Sequence, residues 1–188
     1  MKLENSFEVA APPERAWELL MDVPRVVPCM PGATLKEVVD DSHWKAEMAV
    51  RLGPIGLTFA TDVAQEEVDE SGRRVLLAAK AREVKNRGRA QATIESRLFP
   101  LDGDGTRIDL TTDLTLSGPA AQYGRGMIQD ISAQLVTSFA KCLEAQLAPA
   151  QEEGEAAVAA QAKPLSGLTL AFAAVRRRLA RIFRRRSA

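Results

Sequence analysis

Residues 108–147 read IDLTTDLTLSGPAAQYGRGMIQDISAQLVTSFAKCLEAQL, and the hydrophobic period changes in the middle of the stretch. Ile108, Leu110, Thr112, Leu114 and Leu116 alternate with other residues, the two-residue repeat of a half-buried strand. Beyond Gly118-Pro119, the apolar positions Met127, Ile131, Leu135, Phe139 and Leu143 step by four and Leu147 continues them, which predicts a helix over roughly 119–147. A strand delivered straight into a long helix requires that helix to bury its stripe against the sheet before it.

Upstream, from Ala33 to Leu116, the chain alternates almost throughout. Turn signals interrupt it at Asp40-Asp41-Ser42, Gly53-Pro54, Glu70-Ser71-Gly72 and Asp102-Gly103-Asp104-Gly105, which predicts six strands. One face carries Trp44, Ala46, Met48, Val50 and Leu52, then Leu57, Phe59, Thr61 and Val63, then Val75, Leu77, Ala79 and Ala81, then Ala90, Ala92, Ile94 and Leu98. The other carries Lys45, Glu47, Arg51, Arg89, Glu95, Arg97, Arg107, Asp109 and Asp113, so this is an antiparallel meander with one wet face. Leu3, Phe7, Val9 and Ala11 oppose Lys2, Glu4, Ser6 and Glu8 in a further strand that stops at Pro12-Pro13. Proline suits the first turn of a helix; Ala16, Trp17, Leu20 and Met21 then predict one that ends before Pro24. A second brief turn through Val26, Val27 and Met30 closes at Pro31-Gly32. The fold class is α+β, a seven-stranded curved antiparallel sheet wrapped around a long C-terminal helix, with two short helices between strands 1 and 2.

The inner face is rich in small residues, and 9 of 188 residues are aromatic. Two outcomes follow: either a cavity opens beneath the sheet, or the helix approaches closely over the alanines to native density. The candidate ligand-lining residues are Met48, Val50, Phe59, Ala79, Ala92, Ile94, Leu114, Tyr123, Arg125, Met127 and Ile131. Apart from Tyr123, no titratable group on this face is placed for acid–base catalysis, which needs one buried within reach of a substrate. His43, beside Asp41 and Ser42, reads as exposed. No catalytic residue is therefore assigned.

Composition narrows the chemistry. With 46% apolar and 27% charged residues the chain is an ordinary globular protein, not a coiled coil or a disordered polymer. Cys29 and Cys142, with His43 as the one imidazole, make no metal-ligand spacing, so no metal is expected. The start, Met1-Lys2-Leu3-Glu4-Asn5, has no apolar secretory segment; the expectation is a reducing cytoplasm with both thiols free.

Three motifs punctuate the elements. Cys29-Met30-Pro31-Gly32 supplies a rigid helix-to-strand turn; a redox role for Cys29 lacks a neighbouring His or a CxxC. Gly53-Pro54-Ile55-Gly56 is a hairpin connection. Gly124-Arg125-Gly126 is costly in a helix, about 1 kcal/mol per glycine relative to alanine. Either the glycines admit the sheet, or they weaken the helix start at a cavity mouth where Tyr123 and Arg125 meet a ligand's polar end.

Pro12-Pro13-Glu14-Arg15-Ala16-Trp17, Cys29-Met30-Pro31-Gly32, Gly53-Pro54-Ile55 and the run from Leu116 to Gly126 together resemble the carbon monoxide dehydrogenase CoxG family. That family belongs to the START-like (SRPBCC) helix-grip superfamily, and the resemblance covers residues 1 to about 148. It implies a helix-grip fold with an internal apolar cavity. It also implies a non-catalytic accessory role beside molybdenum-containing carbon monoxide dehydrogenase or a related hydroxylase at the cytoplasmic membrane. Helix-grip cyclases and hydrolases keep an enzyme as the alternative.

The zero net charge divides sharply. Residues 1–162 carry 17 basic and 25 acidic side chains, net −8, whereas 163–188 carry Lys163 and seven arginines without an acid, net +8. Residues 149–163 lack core-like periodicity and read as a flexible linker with a mean span of about 20 Å. From 164 to 188, Leu165, Leu168, Phe172, Val175, Leu179, Ile182 and Phe183 form one helical face. Arg177, Arg178, Arg181, Arg184 and Arg185 cluster opposite, and Arg176 and Arg186 flank the stripe. These are the features of a helix lying in an anionic membrane interface. A nucleic-acid tail would need the arginines but not the apolar face. The expected domains are thus a ligand-binding body 1–148, a linker 149–163 and a membrane-binding helix 164–188. The expected cofactor is a non-covalent quinone or other isoprenoid lipid, the expected location the cytoplasmic face of the inner (plasma) membrane. The simpler alternatives are an anchor or a structural protein without ligand.

Overall fold

The computed structural model describes residues 1–52 and 55–148. The linker and membrane-helix expectations for 149–188 lie outside the described residues, as does the Gly53-Pro54 connection. Met1–Ala148 forms one compact unit.

The alternating segments become β1 (Lys2–Val9), β2 (Ala33–Asp40), β3 (His43–Leu52), β4 (Ile55–Asp69), β5 (Arg74–Glu83), β6 (Arg89–Leu101) and β7 (Gly105–Leu116). They form one sheet in the order β1-β7-β6-β5-β4-β3-β2, with every pairing antiparallel. The chain runs from one edge strand to the other through α1 (Pro13–Met21), α2 (Val23–Val26) and a 3-10 turn Val27–Cys29. Pro13 takes the first position of α1, where its missing N–H costs nothing. Register shifts at Leu35/Glu37 and Val38/Asp40 in β2 and at Gln65/Glu67 in β4 bend the sheet.

The long helix starts later than expected. Gly118–Gln122 is a 3-10 turn, Gly124 is extended (φ −62°, ψ 153°), and α3 runs Arg125–Leu147. Its buried line is Ile128, Phe139, Leu143 and Leu147. Met127, expected on that line, is 44% exposed. Four steps of four back from Leu143 reach 127, but a helix turns every 3.6 residues, so the buried line drifts to 128. Ser132 lies on it and accepts a hydrogen bond from Asn5 Nδ2 at 2.9 Å, tying β1 to mid-helix.

Two apolar clusters hold the unit. Val9, Ala11, Ala16, Leu19, Cys29, Leu98, Ile108, Phe139, Leu143 and Leu147 join α1, the 3-10 turn and the C-terminal half of α3 to the sheet. There Phe7 meets Phe139 edge-on, with ring centroids 6.0 Å apart. Leu57, Phe59 and Ala120 anchor the second, at the N-terminal half of α3.

The expectation of free thiols is corrected: Cys29 and Cys142 form a disulfide, with Cα atoms 5.3 Å apart. Their separation of 113 residues hid the pairing, because only the packing of the 3-10 turn on α3 brings them together.

Candidate functional site

Strand register sets out the inner face as rows. Trp44, Val63, Ala79, Ala92 and Leu114 are successive partners across β3, β4, β5, β6 and β7. Ala46, Thr61, Ala81, Ala90 and Leu116 form the next row, and Leu77, Ile94, Thr112 and Leu3 another. Ala46, Thr61, Ala79, Ala92, Ile94, Thr112 and Leu114 are half-buried and belong to neither apolar cluster. A stretch of inner sheet therefore lies between the two cores without being packed into either.

Beside it, between α3 and β3, is a pocket of about 320 Å³ lined by Pro31, Gly32, Ala49, Val50, Arg51, Ile131, Gln134, Leu135 and Ser138. That volume falls at the small end of ligand sites. The pocket forms where β2 runs out. The β2–β3 ladder reaches only Ala33 opposite Met48, and Gly32 O then accepts from Ala49 N at 2.8 Å. The departing chain is a tight turn closed by Ala33 N donating to Met30 O at 3.0 Å, with Pro31 and Gly32 at its corners and Gly32 at φ +81°. This is a type II turn, which demands glycine at its second corner. The Cys-Met-Pro-Gly motif thus shapes one wall of the pocket.

Of the expected ligand-lining residues, Val50 and Ile131 line this pocket. Met48, Phe59 and Tyr123 belong with them to the second apolar cluster. Ala79, Ala92, Ile94 and Leu114 stand on the half-buried inner face. The structure does not bring Met127 or Arg125 to this group. Met127 faces outward, and Arg125 is exposed, its Nη2 donating to Lys2 O at 3.1 Å.

The two helix-start glycines do not admit the sheet. A Cβ at Gly124 or Gly126 would meet nothing within 4 Å, which removes that account of them. The close approach is at Gly118 instead. Its φ is +76°, and a Cβ there would lie 2.0 Å from Arg87 O. The link from β7 toward α3 is thereby pressed onto the β5–β6 turn.

That turn holds a residue the sequence reading missed. Glu83, 1% exposed, sits opposite Phe59 on the inner face. Its carboxylate accepts from Arg87 Nη2 at 2.7 Å and from the backbone N–H groups of Lys85 at 2.8 Å and Arg87 at 3.2 Å. The Arg87 side-chain bond, aided by both amides and opposed by burial, lowers its pKa to about 2. Nothing in the alternation marked it, since an acid at a strand end reads as solvated. Four residues to Arg87 was the available signal. At the far end of the sheet, His43 Nδ1 lies 2.9 Å from Asp40 Oδ1, in the exposed setting expected. The Ser42 backbone N–H, followed by the His43 and Ser42 side chains, lowers Asp40 to about 2. Among the described residues no His, Cys, Asp and Glu group could hold a metal ion, and no helix is long and apolar enough to cross a membrane.

Comparison with known proteins places this architecture. The family model for CoxG, the G-type subunit of carbon monoxide dehydrogenase, matches residues 6–148. A search of curated proteins finds no match. Among solved structures, a conserved protein from Geobacillus kaustophilus is similar at TM-score 0.70 and 19% identity, covering 79% of this chain and 95% of that one. A START superfamily protein from Mycobacterium smegmatis is similar at TM-score 0.56 and 17% identity, covering 78% and 96%. The Zhui aromatase/cyclase from Streptomyces sp. R1128 is similar at TM-score 0.55 and 19% identity, covering 78% and 93%. These likenesses show a START-like, helix-grip fold.

Proposed function

The chain belongs to the carbon monoxide dehydrogenase CoxG family, and on that premise we propose that it is a non-catalytic, membrane-tethered accessory protein. In this reading it holds an apolar ligand, a respiratory quinone or another isoprenoid lipid, between its sheet and α3. It links a molybdenum-containing carbon monoxide dehydrogenase or related hydroxylase to the quinone pool at the cytoplasmic face of the inner membrane.

The observation that carries the reading is the half-buried row of Ala79, Ala92 and Leu114 between two closed cores, beside a pocket of about 320 Å³. Apolar surface left in this condition gains about 25 cal/mol for each Å² that a ligand removes from water. The lining is also suited to an amphipathic guest. Val50, Ile131, Leu135 and Pro31 offer apolar contact, and Arg51, Gln134 and Ser138 offer polar groups to a head group. Against catalysis stands the state of Glu83, the charged side chain that is buried among the described residues. Held by Arg87 and two amides, it is ionised at neutral pH and its oxygens are engaged, so it is a poor proton donor or base. The tether rests on the seven arginines of 164–188, each worth about 1 kcal/mol near an anionic leaflet.

The test is organic extraction of the full-length protein purified from membranes, followed by mass spectrometry. A stoichiometric isoprenoid quinone or lipid is expected. A protein that co-purifies with its dehydrogenase but carries no lipid is an anchor, and the ligand-holding part of the proposal fails.

A further inference from the structure

We propose that Cys29 and Cys142 form a thiol–disulfide exchange site, reduced by a dithiol, that clamps together the two walls of the pocket between α3 and β3. The walls come from the two segments the bond joins. Pro31 and Gly32 follow Cys29 by two and three residues, and Gln134, Leu135 and Ser138 precede Cys142 on α3, Ser138 by one helical turn. Little else polar fastens these segments: Gln146 Nε2 donates to Arg25 O at 3.2 Å and reaches Cys29 Sγ at 3.0 Å. Opening the bond leaves the turn held on α3 by apolar contact and one glutamine.

The two sulfurs differ in access. Cys29 is 4% exposed, whereas Cys142 is half-buried, so an incoming thiolate attacks Cys142 Sγ. The Cys29–Cys142 bond breaks, a mixed disulfide forms at Cys142, and Cys29 leaves as the thiolate. Its charge is met by Gln146 Nε2–H. The second thiol of the reductant then attacks the mixed disulfide and releases Cys142. The balance is one dithiol oxidised to a cyclic disulfide and one cystine reduced to two thiols, with two electrons and two protons transferred.

Full-length protein purified in air without reductant is denatured and its thiols are counted by maleimide mass shift, before and after dithiothreitol. None is expected before and two after. Amide hydrogen exchange is then compared between the oxidised and reduced wild-type forms. Over residues 23–32 and 134–147 it is expected to rise at least about tenfold on reduction, the equivalent of 1.4 kcal/mol of local stability, while β5 and β6 stay unchanged. Binding of 1-anilinonaphthalene-8-sulfonate should change in parallel and recover on reoxidation, and Cys142→Ser should not respond to dithiothreitol. Thiols already free in the air-purified protein, or equal exchange in the two wild-type forms, would overturn the clamp; neither result depends on the variant folding. The inference uses the pocket of the proposed function, but its exchange readout does not. Lipid absent from both redox forms would remove the ligand while leaving the clamp.

Discussion

Gly32 and Gly126 differ in what a methyl group would meet. At Gly32, φ is +81° and a Cβ would stand 2.2 Å from Ala49 O, a backbone atom in β3 that cannot swing aside. Gly32→Ala is therefore expected to cost about 2 kcal/mol or more, combining the left-handed penalty with displacement of the turn. At Gly126, inside the first turn of α3, the same methyl meets open space. Gly126→Ala should raise stability by about 0.5 to 1 kcal/mol. Urea unfolding midpoints of the two variants check both signs. Glu83 supplies a pH prediction. Its folded pKa of about 2 lies below the ordinary 4.5, so its contribution is complete above about pH 4.5 and is lost as pH falls through about 2. Glu83→Gln should lower stability at pH 7 and flatten the loss between those values, measured by urea midpoints across the acid range. Unchanged acid dependence would mean that the Arg87 contact does not hold the carboxylate in the folded state.

At the scale of elements, a strand whose alanines are half-buried can take bulk that a packed strand cannot. Ala92 pairs with Ala79 on β5 and with Leu114 on β7, and all three face the unpacked stretch. Inserting a large side chain into a filled core typically costs about 1 to 3 kcal/mol. Ala92→Phe is instead expected to leave chemical stability unchanged or raised while the purified protein loses its extractable lipid. Strong destabilisation with lipid retained would mean that the site is packed and the ligand lies elsewhere. The strands and their inward faces were legible because a two-residue period sorts side chains between faces without reference to any other element. Met127 was misplaced because its phase depended on counting turns back through 16 residues. The Cys29–Cys142 bond and the embrace of Glu83 by Arg87 were less legible still. The first depends on a contact 113 residues apart, and the second on how one turn folds over its own strand.

For the whole molecule, the distribution of charge and core argues that the two ends do separate work. The last core residue of the described unit is Leu147, buried against the α1 end of the sheet, so the apolar clusters close without residues 149–188. The body to residue 162 is net −8 and would be repelled by an anionic leaflet; residues 163–188 are net +8 and carry Phe172, Leu179 and Phe183 among the arginines. Attraction of seven arginines to such a surface weakens with salt, because exposed charges are screened over about 10 Å at 0.1 M. Burial of the aromatic and leucine side chains does not. Deleting 164–188 is therefore expected to move the protein from the membrane pellet to the supernatant with its unfolding midpoint intact. Replacing Phe172, Leu179 and Phe183 together by Ser should release it even at low salt, where the arginines are at full strength. A tail that served nucleic acid would behave in the opposite way, keeping its partner after the serine substitutions and losing it steeply as salt rises. Flotation of the three forms with anionic vesicles, at low and at high salt, distinguishes these outcomes. A truncated chain that still floats would place the membrane contact on the body and overturn the tether.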